Sequence, residues 1–165
     1  MVRLLVCAAL AVAAGCSGYR LAAPDPPPID GRSTPPPGLA QVCVVRPHRI
    51  AATVTLSVHD NGALVGATRG PSYFCYFAEP GVHSIASEEA DEGAIEVAKL
   101  TTVQLAPGGR YFLHQRVHPL GHELEWVDCQ HGERMMRRSG YRVVAQAPDG
   151  EPPPPQPPIA PAWRG

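Results

Sequence analysis

Three of the chain's seven histidines, His114, His118 and His122, recur at spacings of four, with Cys129 and His131 beyond them. Imidazole and thiolate together form the donor set of zinc and copper sites, so this region is the first place to look for metal chemistry. A spacing of four puts side chains on one face only in a helix. Here the stretch reads as a strand ending near Pro119, on which His114 and His118 share a face but stand about 13 Å apart, too far for one ion. The expectation is surface and turn histidines with no metal and no cofactor. A metal-binding or enzymatic use of His114, His118 and His131 is the competing one. Catalytic signatures are missing: there is no Gly-x-Ser-x-Gly elbow, phosphate loop, Cys-x-x-Cys or His-Glu-x-x-His. Ser72, His83 and Asp128 are a set any chain of this size holds by chance, so no catalytic residue is assigned. His83 stands beside a Pro-Gly turn, where packing or a backbone hydrogen bond is its expected job. Glu88, Glu89, Asp91 and Glu92 lack the alternating oxygen spacing of a calcium loop and read as solvated charge.

Cysteine is the second reactive type. Met1 to Arg3 is a short positive start, and residues 4–14 are an apolar run shorter than the roughly 20 residues a spanning helix needs. This is the pattern of a secretory signal, and Ala13, Ala14 and Gly15 supply the small residues of a cleavage site directly before Cys16. The segment resembles the lipobox of bacterial lipoproteins. That resemblance implies diacylglycerol on Cys16, usually with a third chain on its amine, and two or more acyl chains anchor stably where one is marginal. Ser17 in place of Asp resembles the pattern that sorts such proteins to the outer membrane. With Cys7 removed and Cys16 lipidated, Cys43, Cys75 and Cys129 remain in a disulfide-permissive setting, and three pairings are open.

These residues need a scaffold. The chain of 165 residues carries a net charge of −1, which excludes a nucleic-acid binder that must neutralise phosphates. Its 20 prolines cluster near both ends. Residues 16–38 read as a lipidated start and a polyproline spacer that holds a domain off the membrane. Residues 147–165 read as a disordered tail, with Trp163 as an anchor if the tail docks a partner. Between them, short segments alternate apolar and polar residues: 41–46, 53–59, 63–67, 72–77, 82–86, 95–105, 111–117, 124–129 and 141–145. Asp60-Asn61-Gly62 and Pro107-Gly108-Gly109 turn hairpins, and residues 132–139 have helical composition.

Three of these segments, CVVRPHRI from Cys43, VTLSVHDNGALVGATRGPSYFCYFAEPGVHSI from Val54 and LAPGGRYFLHQRV from Leu105, run in an order that resembles the bacterial lipoprotein family catalogued as domain of unknown function 2846. The matching places are Arg46-Pro47, Asp60-Asn61-Gly62 with Gly66, Tyr73-Phe74, Pro80-Gly81-Val82-His83 and Gly109-Arg110-Tyr111-Phe112. The Pro-Gly-x-His piece is also similar to PEGA-type domains. The resemblance covers residues 41–130 and implies a small β-sandwich without established catalytic residues.

The expected organisation is a signal peptide (1–15), a lipidated N-terminus and Pro-rich linker (16–38), an all-β domain (39–146) and a disordered tail (147–165). The domain is an antiparallel β-sandwich of about seven or eight strands. Its expected place is the outer membrane, facing the periplasm or the cell surface, where it binds or scaffolds an envelope protein or peptidoglycan. Exposed Tyr73, Tyr76 or Trp126 would serve a carbohydrate-binding variant of that role.

Overall fold

The computed structural model describes residues 18–90, 98–148 and 151–163. In chain order the elements are β1 (Arg20–Ala22), β2 (Ala40–Arg46), β3 (Thr55–Asp60), β4 (Ala63–Arg69), β5 (Ser72–Ala78), β6 (Gly81–Glu89), β7 (Lys99–Leu105), β8 (Arg110–His118), β9 (Gly121–Val127), helix α1 (Cys129–Met136), β10 (Gly140–Tyr141), β11 (Val143–Gln146) and β12 (Ile159–Ala160). The domain is predominantly β, in two main sheets. One runs β10-β5-β2-β8-β9 with β12 added beside β5, the other runs β4-β3-β6-β7, and β1 and β11 form a small separate pair.

Local chemistry explains the hairpins. Asn61 and Gly62 take φ of 48° and 83°, the pair of positive values that a two-residue turn matching strand twist requires, and β3 pairs antiparallel with β4 across it. Alternation then selects the dry face. Val42 and Val44 of β2, Phe74 and Tyr76 of β5, and Leu113 of β8 meet Val58, Val65, Ile85 and Leu105 of the second sheet in the inter-sheet core. Edge strand β7 keeps a strict in-and-out pattern, as an antiparallel strand with one wet side must.

Two expectations about regularity need correction. The sheet is not wholly antiparallel, because β2 pairs antiparallel with β5 and parallel with β8, from Gln41↔Arg110 to Val45↔His114. A parallel neighbour needs a long crossover, and the second sheet's strands supply it in place of a helix. Nor does β2 have a wet face: all seven of its residues are buried. Its even positions enter the inter-sheet core, while Cys43 and Val45 join Phe112, Met135, Met136 and Ile29 in a second cluster on the outer side, under α1.

The expectation of a free spacer and a disordered tail is corrected as well. Ile29, Gly31 and Pro35 are buried, β1 pairs with β11, and the Gly31 carbonyl accepts a hydrogen bond from Arg110 at 2.6 Å. The proline-rich C-terminal segment folds back: β12 lies parallel to β5, Phe77 N–H donates to the Pro158 carbonyl and Asn61 Nδ2 to the Pro161 carbonyl, both at 2.9 Å. Proline lacks an N–H but keeps its carbonyl, so such a segment can still accept from an open strand edge while adding no donors of its own at those residues. Composition favours polyproline geometry; the unpaired edge of β5 supplies what captures it.

Candidate functional site

The histidines that the sequence groups do not stay together. β8 and β9 pair antiparallel, and on the outer face of β8 His114 stands opposite Glu125 while His118 lies at the far end opposite Gly121. His118 Nε2 is 3.9 Å from Glu123, and His122 is buried with Nε2 3.2 Å from the Ser87 carbonyl oxygen. The grouping of His118 with His114 and His131 is thereby corrected, because an extended strand carries His118 away from the other two. His114 and His131 do meet, and a histidine the sequence reading passed over joins them. His48, His114, His131, Arg134 and Arg138 line a cleft of about 180 Å³, closed by Pro47 and Met135.

Each wall has a local cause. Arg46, buried at the end of β2, donates from Nη1 to the Val54 carbonyl at 2.9 Å and from Nη2 to the Ile50 carbonyl at 3.0 Å and to the Ala51 carbonyl. Those bonds fix the loop that carries His48. Helix α1 starts at Asp128, whose carboxylate accepts the His131 N–H at 2.8 Å, an N-cap bond that also holds the acid below its ordinary range. Gly132 lets the helix sit on Phe112, since a Cβ there would meet the ring at 2.2 Å. His131 and Arg134 stand three residues apart on one face of α1, Arg138 follows in the turn past the helix end, and all three line the cleft. The helical composition of residues 132–139 was legible in the sequence; the meeting of these side chains with His48 and His114 was not.

His114 forms the floor, with 8% of its surface exposed. Its Nδ1 is 3.7 Å from Glu125, its ring centroid is 6.2 Å from that of His48, and its Nε2 has no hydrogen-bond partner among the described residues. Burial pushes its pKa down; Glu125 opposes this, and the neighbouring His48, His131 and Arg116 add to it. Among the described residues, no group of three or more His, Cys, Asp or Glu is arranged to hold a metal ion. Among the described residues, no carboxylate lines the cleft. Its chemistry is that of hydrogen-bond donors and positive charge.

The other buried polar groups are occupied in holding the sandwich. Asp60 lies in the interior, accepts from Tyr76 Oη at 2.9 Å and faces His83 Nδ1 at 2.8 Å. His83 Nε2 is 2.8 Å from the Glu79 carbonyl oxygen, so both ring nitrogens meet acceptors and only the imidazolium can donate to each. Burial opposes that charge, but Asp60 outweighs it and the His83 pKa is raised. Thr68 donates to Gln115 Oε1 at 2.6 Å and Gln115 Nε2 to Ser87 at 2.9 Å, a polar bridge between the two sheets.

Cys43 and Cys75 stand opposite each other on β2 and β5 and form a disulfide, which leaves Cys129 exposed as a free thiol. Cys16 lies outside the described residues, as do Asp91 and Glu92. The expectation of exposed aromatics is corrected at Tyr76, and Tyr73 and Trp126 are partly buried. Tyr76 is fully buried, Tyr73 packs edge-on against Tyr141, and Trp126 is half-buried with Nε1 donating to Thr101 Oγ1 at 3.0 Å. Trp163 is 65% exposed, although its backbone N–H donates to the Val82 carbonyl. Compared with protein-family models, curated proteins and solved structures, the chain matches none.

Proposed function

We propose that this chain is an outer-membrane lipoprotein, lipidated at Cys16, whose β domain is a non-catalytic binding module of the cell envelope. What carries the anchoring half is the sequence around Cys16: a positive start, a short apolar run and three small residues directly before the cysteine. What carries the binding half is the solvent-open cleft between β8, α1 and the loop after β2, lined by donors and cations. The buried His83–Asp60 pair, by contrast, is sealed from any substrate.

The folded-back linker changes the geometry of anchoring. Only three residues lie between Cys16 and the start of β1 at Arg20, a reach of about 14 Å at full extension over the four steps. The domain is therefore held against the membrane surface, where an envelope protein or peptidoglycan strand is within contact range.

The test is fractionation of cells expressing wild type and Cys16→Ala, with mass spectrometry of the mature protein. Wild type partitions with the membrane and carries acyl mass; the variant loses both. Retention of the variant in the membrane with unchanged mass overturns the anchoring proposal.

A further inference from the structure

We propose that the cleft formed by His48, His114, His131, Arg134 and Arg138 binds a tetrahedral oxyanion of the phosphate class, as the free ion or as the headgroup of a phosphate monoester lipid. This rests on the reading of the domain as a binding module and names the chemistry of its ligand.

Size is the first argument. At about 30 Å³ per water, a volume of about 180 Å³ accommodates several waters or one phosphate-sized ion with part of its shell. It is smaller than the roughly 300–1,000 Å³ of sites for drug-sized ligands. Charge is the second. Two guanidinium groups and three imidazoles line it, with no carboxylate lining it among the described residues, and guanidinium presents the planar donor fork that suits phosphate oxygens. Three acids lie close by without lining the cleft: Glu125 Oε2 is 3.7 Å from His114 Nδ1, Glu133 is 2.8 Å from Arg110 Nη2, and Asp128 caps the helix with Arg134 and His131 near enough to hold its pKa down.

The third argument is the unpaired nitrogen. A buried polar atom without a partner costs about 1–3 kcal/mol, so native structures rarely leave one beside an open cavity lined by like groups. His114, which lines this cleft, carries such an atom at Nε2. An occupant that accepts hydrogen bonds gives it a partner.

Titration follows from what faces His114. Glu125 from β9 favours its charged form; burial, His48 from the loop after β2, His131 from α1 and Arg116 on β8 oppose it. With its pKa lowered, His114 is neutral at pH 8, and acidification adds positive charge to the cleft. A bound dianion favours that protonation, so affinity rises as pH falls.

The experiment uses the full chain in uncharged detergent micelles and follows the imidazole resonances of its seven histidines by NMR, with His48→Gln and His131→Gln assigning the cleft signals. Inorganic phosphate is one titrant and micelle-borne phosphatidic acid the second, against phosphatidylcholine as control. Sulfate, whose charge is constant over this range, is titrated at pH 8.0 and 6.0. The expected result is saturable shifts of the His48 and His131 signals, at least fivefold tighter for sulfate at pH 6.0. Arg134→Ala with Arg138→Ala, both exposed positions, weakens binding at least tenfold while leaving the urea midpoint unchanged. Saturation by phosphate alone assigns a soluble anion; saturation by phosphatidic acid alone assigns a lipid headgroup. No saturable shift with any titrant, or binding untouched by the double substitution, overturns the proposal. Because the readout is the cleft itself, this failure is distinct from a failure of anchoring at Cys16, which fractionation alone reports.

Discussion

Replacing Asp60 with alanine is the sharpest test of how this fold holds charge inside itself. The carboxylate is at 0% exposure and holds two partners that are also at 0%, Tyr76 and His83. Its loss strands a phenol hydroxyl and an imidazolium in the core, and breaking a buried ion pair on one side costs about 3–5 kcal/mol. With an unfolding entropy of roughly 2.1 cal/mol/K per residue over about 140 residues, that cost lowers the melting temperature by roughly 10–17 °C. The pH dependence has a definite sign. The His83 pKa is raised in the folded state above its ordinary 6.5, so the native state keeps a proton that the unfolded chain releases. That contribution is fully present below about pH 6.5, with Asp60 ionised, and is lost as pH rises through the folded pKa. The assay is urea denaturation of wild type and Asp60→Ala from pH 6 to pH 9. A loss below about 1 kcal/mol, or the same decline with pH in both proteins, would refute the assignment of Asp60 and His83 as a stabilising pair.

Two further outcomes follow from the covalent and edge structure. The disulfide joins residues 32 apart in sequence, and closing a loop of that length stabilises by about 3–4 kcal/mol through the unfolded chain; the double variant Cys43→Ala, Cys75→Ala should lose that much, and Cys129→Ala almost nothing, by the same denaturation assay. Truncation after Gly150 removes β12 and its carbonyls from β5, exposing an edge strand. Light scattering should then show concentration-dependent association that the full chain lacks, and a monodisperse truncated protein would contradict the protective role of the tail.

The all-β character, the hairpin turns and most strand positions were legible because they depend on local physics. A period of two in hydrophobicity and positive-φ residues such as Asn61 and Gly62 act within a few neighbours. The helix over Cys129–Met136 was legible in part: its composition showed, and its N-cap aspartate sits one residue before it. What could not be read there is which strand lies beside which. The disulfide choice illustrates this, since three pairings were open until β2 and β5 came into register and set Cys43 opposite Cys75.

The site divides the same way. Types and spacing marked His114 and His131 as chemically capable, and the strand geometry by itself argued against His118 sharing an ion with His114. The partner they acquire, His48, is 66 residues before His114 in the chain and arrives because β2 and β8 pair in parallel and Arg46 ties down the loop between β2 and β3. Composition likewise predicted two free proline-rich ends, and tertiary structure overruled it, because an open strand edge and an apolar outer face under α1 offered those segments partners. Sequence determined the local conformations of strands and turns. Long-range pairing, whose energy lies in contacts between distant residues, decided the cleft, the disulfide and the fate of both ends.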